Sequence, residues 1–206
     1  MANFCTDADL LRYEPNVFTD VALPGQQKLH LTDAAITGTS VTSTTGGFDA
    51  LQADEVCLIA SNAGNAAGFA IASIESDQAL TLSQPVTHLD ATTGLTLMAR
   101  SFEPQIRIIH EALMRRILHD PTQWVNPESL VLNAAVMVEL EALGALDLVY
   151  ALAGRVGGDA TLAQRAEVFR RRYAAALAVA VIDLDEDGDG AADRSVHLAA
   201  GHMVRV

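Results

Sequence analysis

The chain has 206 residues, half of them hydrophobic, which is enough for one packed core or two small ones. Its formal net charge is −13, with a single lysine, Lys28, beside twelve arginines, so no basic tract is available to neutralise a phosphate backbone and tight electrostatic binding of nucleic acid is disfavoured. The first residues lack a basic stretch followed by an apolar one, and the longest apolar run, Tyr173 to Ile182, spans ten residues against the roughly twenty needed to cross a bilayer, so neither a secretory signal nor a membrane span is expected.

In chain order, residues 6–13 read as a short helix. Thr6 serves as N-cap, Asp7 and Asp9 favour the first turn, Leu10, Leu11 and Tyr13 supply apolar contacts, and Pro15 closes it. Cys5 and Cys57 match neither metal nor redox spacing, which predicts two reduced thiols and leaves a disulfide open. From Leu29 to Arg100 the texture turns to short alternating runs, among them Val56–Ala60, Gly68–Ile74, Ala79–Ser83 and Leu95–Met98. Gly46-Gly47, Asn62–Asn65, Ser76-Asp77 and Thr93-Gly94 punctuate them. This predicts a small antiparallel β-barrel or sandwich of five or six strands.

After Arg100 the hydrophobic period changes from two to 3.6. Ile106, Ile109, Leu113 and Ile117 mark an amphipathic helix opening at Pro104 and ending near His119 to Pro121. Asn126-Pro127 predicts the start of a second helix running to Arg155, apolar almost all round, with Gly144 a candidate break. Such a helix must be covered by the rest of the fold or by neighbouring subunits. Asp159 caps a third helix with a stripe of Leu162, Ala166, Phe169, Tyr173 and Leu177. The whole predicts an α+β protein in four parts: an N-terminal helix and connection (1–28), a β lobe (29–100), a bundle of three to four helices (101–182), and an acidic loop with an extended C-terminal arm (183–206).

The run from Asp183 to Asp193 places six acidic side chains in eleven residues. Alternate aspartates around a glycine turn can converge on a hard cation, which takes six to eight oxygen ligands. Asp183, Asp185, Asp187, Asp189 and Asp193 are therefore candidate Ca²⁺ ligands, in two registers: one starts at Asp183 with Gly188 at the turn, the other at Asp185 with Gly190 there. Neither supplies the bidentate Glu of a full EF-hand, since Arg194 or Val196 occupies that place. Without a cation these carboxylates repel one another. No cofactor is required by this pattern; Ca²⁺ is the one candidate. Beyond Asp193 the alternating tail suits either an edge strand or an arm that adds to a partner, and Val196, Leu198, Met203, Val204 and Val206 are its candidate partner-binding residues.

Catalytic patterns are not evident. His110-Glu111 begins like a zinc-protease helix but Met114 stands where a second histidine belongs, so His110 reads as a partly exposed helical histidine. His119 reads as a charge at a helix C-terminus, and His197 and His202 as ordinary tail residues. No nucleophile elbow or phosphate-binding glycine loop is present in the sequence, and Arg115-Arg116 and Arg170–Arg172 are expected to pair with carboxylates. The chain is not expected to be an enzyme. Trp124, the single tryptophan, is assigned to packing or to a subunit contact.

Three stretches together resemble the head-to-tail connector, or adaptor, proteins of tailed-bacteriophage necks: Thr6–Pro15, the segment Gly38–Phe48 with its continuation to Leu82, and Asp183–Asp189. The resemblance implies a structural virion protein, made in the host cytoplasm and located in the neck. Sister copies would form a dodecameric ring joining the portal to the next neck or tail protein, with DNA passing through without sequence-specific binding, and no membrane involved. An acidic surface suits such a conduit, because like charge opposes adhesion. The alternative class is a calcium-dependent surface or adhesion module without enzymatic activity.

Overall fold

A computed structural model describes residues 3–23, 25–61, 66–87, 89 and 91–199. The expected turn at Asn62–Asn65, His202, and the candidate partner residues Met203, Val204 and Val206 lie outside the described residues. The protein is mixed α+β and divides into two units, one formed by Thr6–Glu103 and the other by the segment ending at Cys5 together with the chain from Pro104 onward. The N-terminal helix therefore belongs with the barrel and the acidic loop with the later helices, in place of the divisions expected at residues 28 and 182. No helix among the described residues is long and apolar enough to cross a membrane.

The first unit opens with α1 (Asp7–Tyr13), whose start is a capping box. The Thr6 hydroxyl accepts from the Asp9 N–H while the Asp9 carboxylate accepts from the Thr6 N–H, satisfying donors that the first turn leaves unpaired. A second short helix, α2 (Val17–Asp20), was not apparent from the local pattern, being a single turn. Six strands follow: β1 (Gln27–Thr37), β2 (Ser40–Thr42), β3 (Val56–Ala60), β4 (Ala66–Ser76), β5 (Ala79–Leu82) and β6 (Leu95–Arg100). They close into an antiparallel barrel in the order β1-β2-β5-β4-β3-β6, with β6 pairing back on β1. Closure leaves no free sheet edge, which resolves the barrel-or-sandwich alternative.

Inward residues such as Ile36, Val41, Ile59, Ile71, Leu80 and Leu97 fill the barrel. On β3 the outward residues Val56 and Leu58 are buried as well, because α1 and α2 lie against β3 and β4. This is why Val56–Ala60 is an unbroken apolar run: a strand covered on both faces has no polar side. Arg100 completes the cover, its Nη1 donating to the carbonyls of Phe18 (2.9 Å) and Val21 (3.1 Å) at the end of α2. Cys57 is buried in this core, and burial, followed by the nearby Glu55 charge, pushes its thiol up to about 12, so it is an inert packing residue.

The second unit contains α3 (Glu103–Leu118), α4 (Ala134–Gly157), α5 (Ala160–Val179) and a hairpin of β7 (Val181–Leu184) with β8 (Arg194–His197). Asn126-Pro127 does not open α4. It leads a 3₁₀ turn, Pro127–Leu130, and α4 begins seven residues later than Pro127, at Ala134. The cause is that Leu130–Asn133 run alongside β7 instead. The Asp185 N–H donates to the Leu130 carbonyl and the Leu132 N–H to that of Asp183. The Asn133 side chain bridges Val181 and Asp183.

Gly144 does not divide α4. A Cβ there would lie 2.8 Å from Ile109 Cγ2 and 3.2 Å from Tyr173 Cζ, so the glycine makes room for side chains of α3 and α5 against α4. α5 starts as expected, with the Asp159 carboxylate accepting from the N–H groups of Thr161 and Leu162. β8 pairs with β7 residue for residue, from Val181 opposite His197 to Leu184 opposite Arg194. The tail is thus part of the protein's own hairpin through His197. Val196 and Leu198, expected to meet a partner, instead pack into the core beside Ile182 and Leu184.

Candidate functional site

Two groups of ionisable residues in the second unit exceed what packing alone requires. The first is the acidic loop between β7 and β8. One carboxylate oxygen from each of Asp185, Asp187 and Asp193 lies within 4.8 Å of the others. Two ligands of one Ca²⁺, each about 2.4 Å from it, cannot be farther apart than about 4.8 Å, so the three satisfy that limit together.

The register starting at Asp185 is the one the fold assembles. Asp183 sits within β7, where its carboxylate accepts from the Ser195 hydroxyl at 2.6 Å. Asp189 accepts from the Ala191 N–H at 2.7 Å and is not one of the three. Gly188 and Gly190 hold φ of 82° and 85°, a left-handed backbone that folds the loop back on itself.

Backbone N–H groups already organise this loop. Asp185 accepts from Gly188 (2.6 Å) and Gly190 (2.8 Å), and Asp193 from Glu186 (2.7 Å) and Asp187 (3.2 Å). The Gly190 N–H, with help from that of Gly188 and against the opposing effect of burial, holds the Asp185 carboxyl below the usual carboxylate range. Mutual repulsion among the carboxylates is therefore offset by oriented amides and by Arg194, whose Nη2 lies 2.9 Å from Glu186 Oε1. Each carboxylate keeps lone pairs for a cation, because an ionised carboxylate has about four acceptor sites.

The second group is buried. His110 on α3 is 0% exposed, which replaces its reading as a partly exposed histidine. Its Nδ1 lies 2.8 Å from Oε1 of the equally buried Glu141 on α4, and its Nε2 lies 3.3 Å from Glu128 Oε1 in the 3₁₀ turn. The other oxygen of Glu141 accepts from the Phe4 (2.9 Å) and Cys5 (2.8 Å) N–H groups, and the Phe4 ring lies 5.8 Å from that of His110. Burial pulls the His110 pKa down, but the hydrogen bonds and charges of Glu141 and Glu128 outweigh it, so the net direction is upward. No motif spacing marks this group, since its members come from four separate segments. The available signal was Glu141, one of four charged residues, with Glu139, Asp147 and Arg155, in a largely apolar helix.

In the first unit, the half-buried Asp33 carboxylate gathers Thr44, Ser43 and Thr45, and these hydrogen bonds hold it far below the usual range. That arrangement secures the chain after β2. Compared with known proteins, the chain matches no family model, no curated protein and no solved structure.

Proposed function

We propose that this protein is a structural, non-enzymatic component of a bacteriophage neck, completed by sister copies in a ring that joins the portal to the tail. The observation that carries this reading is the placement of exposed apolar side chains. Ile108, Val125, Leu132, Val156, Val168 and Val179 are 42–89% exposed, and all six belong to the second unit. Along α5, Val168, Ala175, Ala178 and Val179 share the outward side of the helix opposite the buried Ala166 and Phe169. Burying such a face against another copy gains roughly 25 cal/mol for each Å² of apolar surface removed from water.

The test is the assembly state of the purified protein, measured by native mass spectrometry alone and with a portal ring from the same particle. A ring or a portal complex is expected. Val168→Glu with Val179→Glu should abolish it while leaving the helical circular dichroism unchanged, because both side chains already face solvent. A protein that remains monomeric and indifferent to the portal overturns the reading.

A second reading, a calcium-dependent surface module, is favoured by the convergence of Asp185, Asp187 and Asp193. Ca²⁺ should then raise the melting temperature, since a ligand that binds only the folded state stabilises it. Asp187→Asn is expected to weaken Ca²⁺ binding by roughly tenfold through loss of a charged ligand. Asp189→Asn should leave it nearly unchanged. Identical melting with and without chelator would exclude this role for the loop.

A further inference from the structure

The connector between α3 and α4 passes through two 3₁₀ turns, Pro121–Gln123 and Pro127–Leu130, and carries the single tryptophan, Trp124. Within it, His119 and Asn126 hold left-handed φ of 60° and 56°, a region that His and Asn enter more readily than most residues with a side chain. Pro121, Pro127 and Val131 of the connector are buried, and Trp124 and Leu130 pack against the helical core. Glu128 is the ionisable side chain that reaches inward from it, to Nε2 of the buried His110.

The chemistry of the ring decides what this contact can do. An imidazolium donates from both nitrogens, so it can serve Glu141 and Glu128 together; the neutral ring has one N–H and one lone pair. The bond to Glu141 is the shorter, 2.8 Å against 3.3 Å, and Glu141 is wholly buried, so the remaining proton stays on Nδ1. The lone pair on Nε2 then faces the Glu128 carboxylate. Glu128 is 16% exposed and can turn to water, whereas Glu141, at 0%, cannot.

We propose that His110 and Glu128 form a pH-gated clasp on the α3–α4 connector, closed while both ring nitrogens carry protons and opened when Nε2 loses its own. The groups facing the ring are Glu141 from α4, Glu128 from the connector, and the Phe4 ring from the N-terminal segment. From α5, Tyr173 is coupled electrostatically to Glu141 and to Arg116 of α3. With two carboxylates outweighing burial, the ring holds its second proton above the ordinary histidine pKa of about 6.5, so opening occurs as pH rises beyond that value.

Trp124 supplies the readout. In the intact protein, raising the pH should red-shift its emission and remove its protection from acrylamide, with the same midpoint as the His110 ring signals in NMR. Glu128→Gln should abolish the step, because an amide can accept from the charged ring or donate to the neutral one and so holds the connector in both states. His119→Asn should leave the step intact, assigning it to His110 and not to the histidine of the connector itself. The proposal is overturned if His110 titrates with no step at Trp124, if the step survives in the Glu128→Gln protein, or if it disappears in the His119→Asn protein.

Discussion

Replacing Glu141 with alanine should destabilise the helical unit by about 3–5 kcal/mol, the range for removing one partner of a buried charged pair. The carboxylate sits at 0% exposure and serves three donors: His110 Nδ1, and the N–H groups of Phe4 and Cys5. Alanine removes the Glu141 acceptor from all three in a largely buried site, and leaves the charged ring beside a single carboxylate, Glu128. Urea unfolding followed by Trp124 fluorescence reports on this unit specifically, since the tryptophan lies in it. Glu141→Gln should cost less, because the amide oxygen still accepts. An alanine variant within about 1 kcal/mol of the parent would show that the network does not hold the N-terminal segment in place.

The first unit should lose stability as pH rises from about 4 to about 7, on account of Asp7. This carboxyl is 4% exposed, and burial drives its pKa up to about 7, against the hydrogen bond from the Phe102 N–H at 2.8 Å and the contribution of Ser101. The folded-state value lies above the unfolded one of about 3.9, so the folded protein binds the extra proton. Stability is therefore fully present below the unfolded value and lost as pH passes through the folded one, by up to about 4 kcal/mol at 1.36 kcal/mol per pH unit. Asp7→Asn keeps an acceptor for Phe102 but cannot ionise. Its barrel amides should show hydrogen-exchange stability that is flat from pH 4 to 8 and exceeds the parent's at the upper end. Parallel pH profiles for the two proteins would refute this account.

Asp7 also shows how a sequence reading can be right about a residue's role and miss its energetics. Its position after Thr6 places it correctly in the first turn of α1, where an acidic side chain favours the helix N-terminus. That its carboxyl is enclosed, with the Phe102 N–H as partner, depends on a residue 95 positions away. The same division appears in the acidic loop. Spacing alone drew attention to five aspartates, while the path of β7 and β8 decided that Asp185, Asp187 and Asp193 converge, that Asp183 belongs to a strand, and that Asp189 caps its own turn.

By itself, the sequence determined what depends on residues within a turn or two of one another. That includes the switch from period two to period 3.6 after Arg100, the caps at Thr6 and Asp159, the strands Val56–Ala60 and Leu95–Met98 and the glycine turns of the acidic loop. Tertiary structure alone decided the closure of β6 onto β1, the turning of Val196 and Leu198 into the core, the close approach at Gly144, and the meeting of His110, Glu128 and Glu141 with Phe4 and Cys5. The physical reason is that a local pattern specifies which side of an element seeks cover, whereas the identity of the cover is set when distant segments pack. A buried polar group is stable only if such a segment brings its partner.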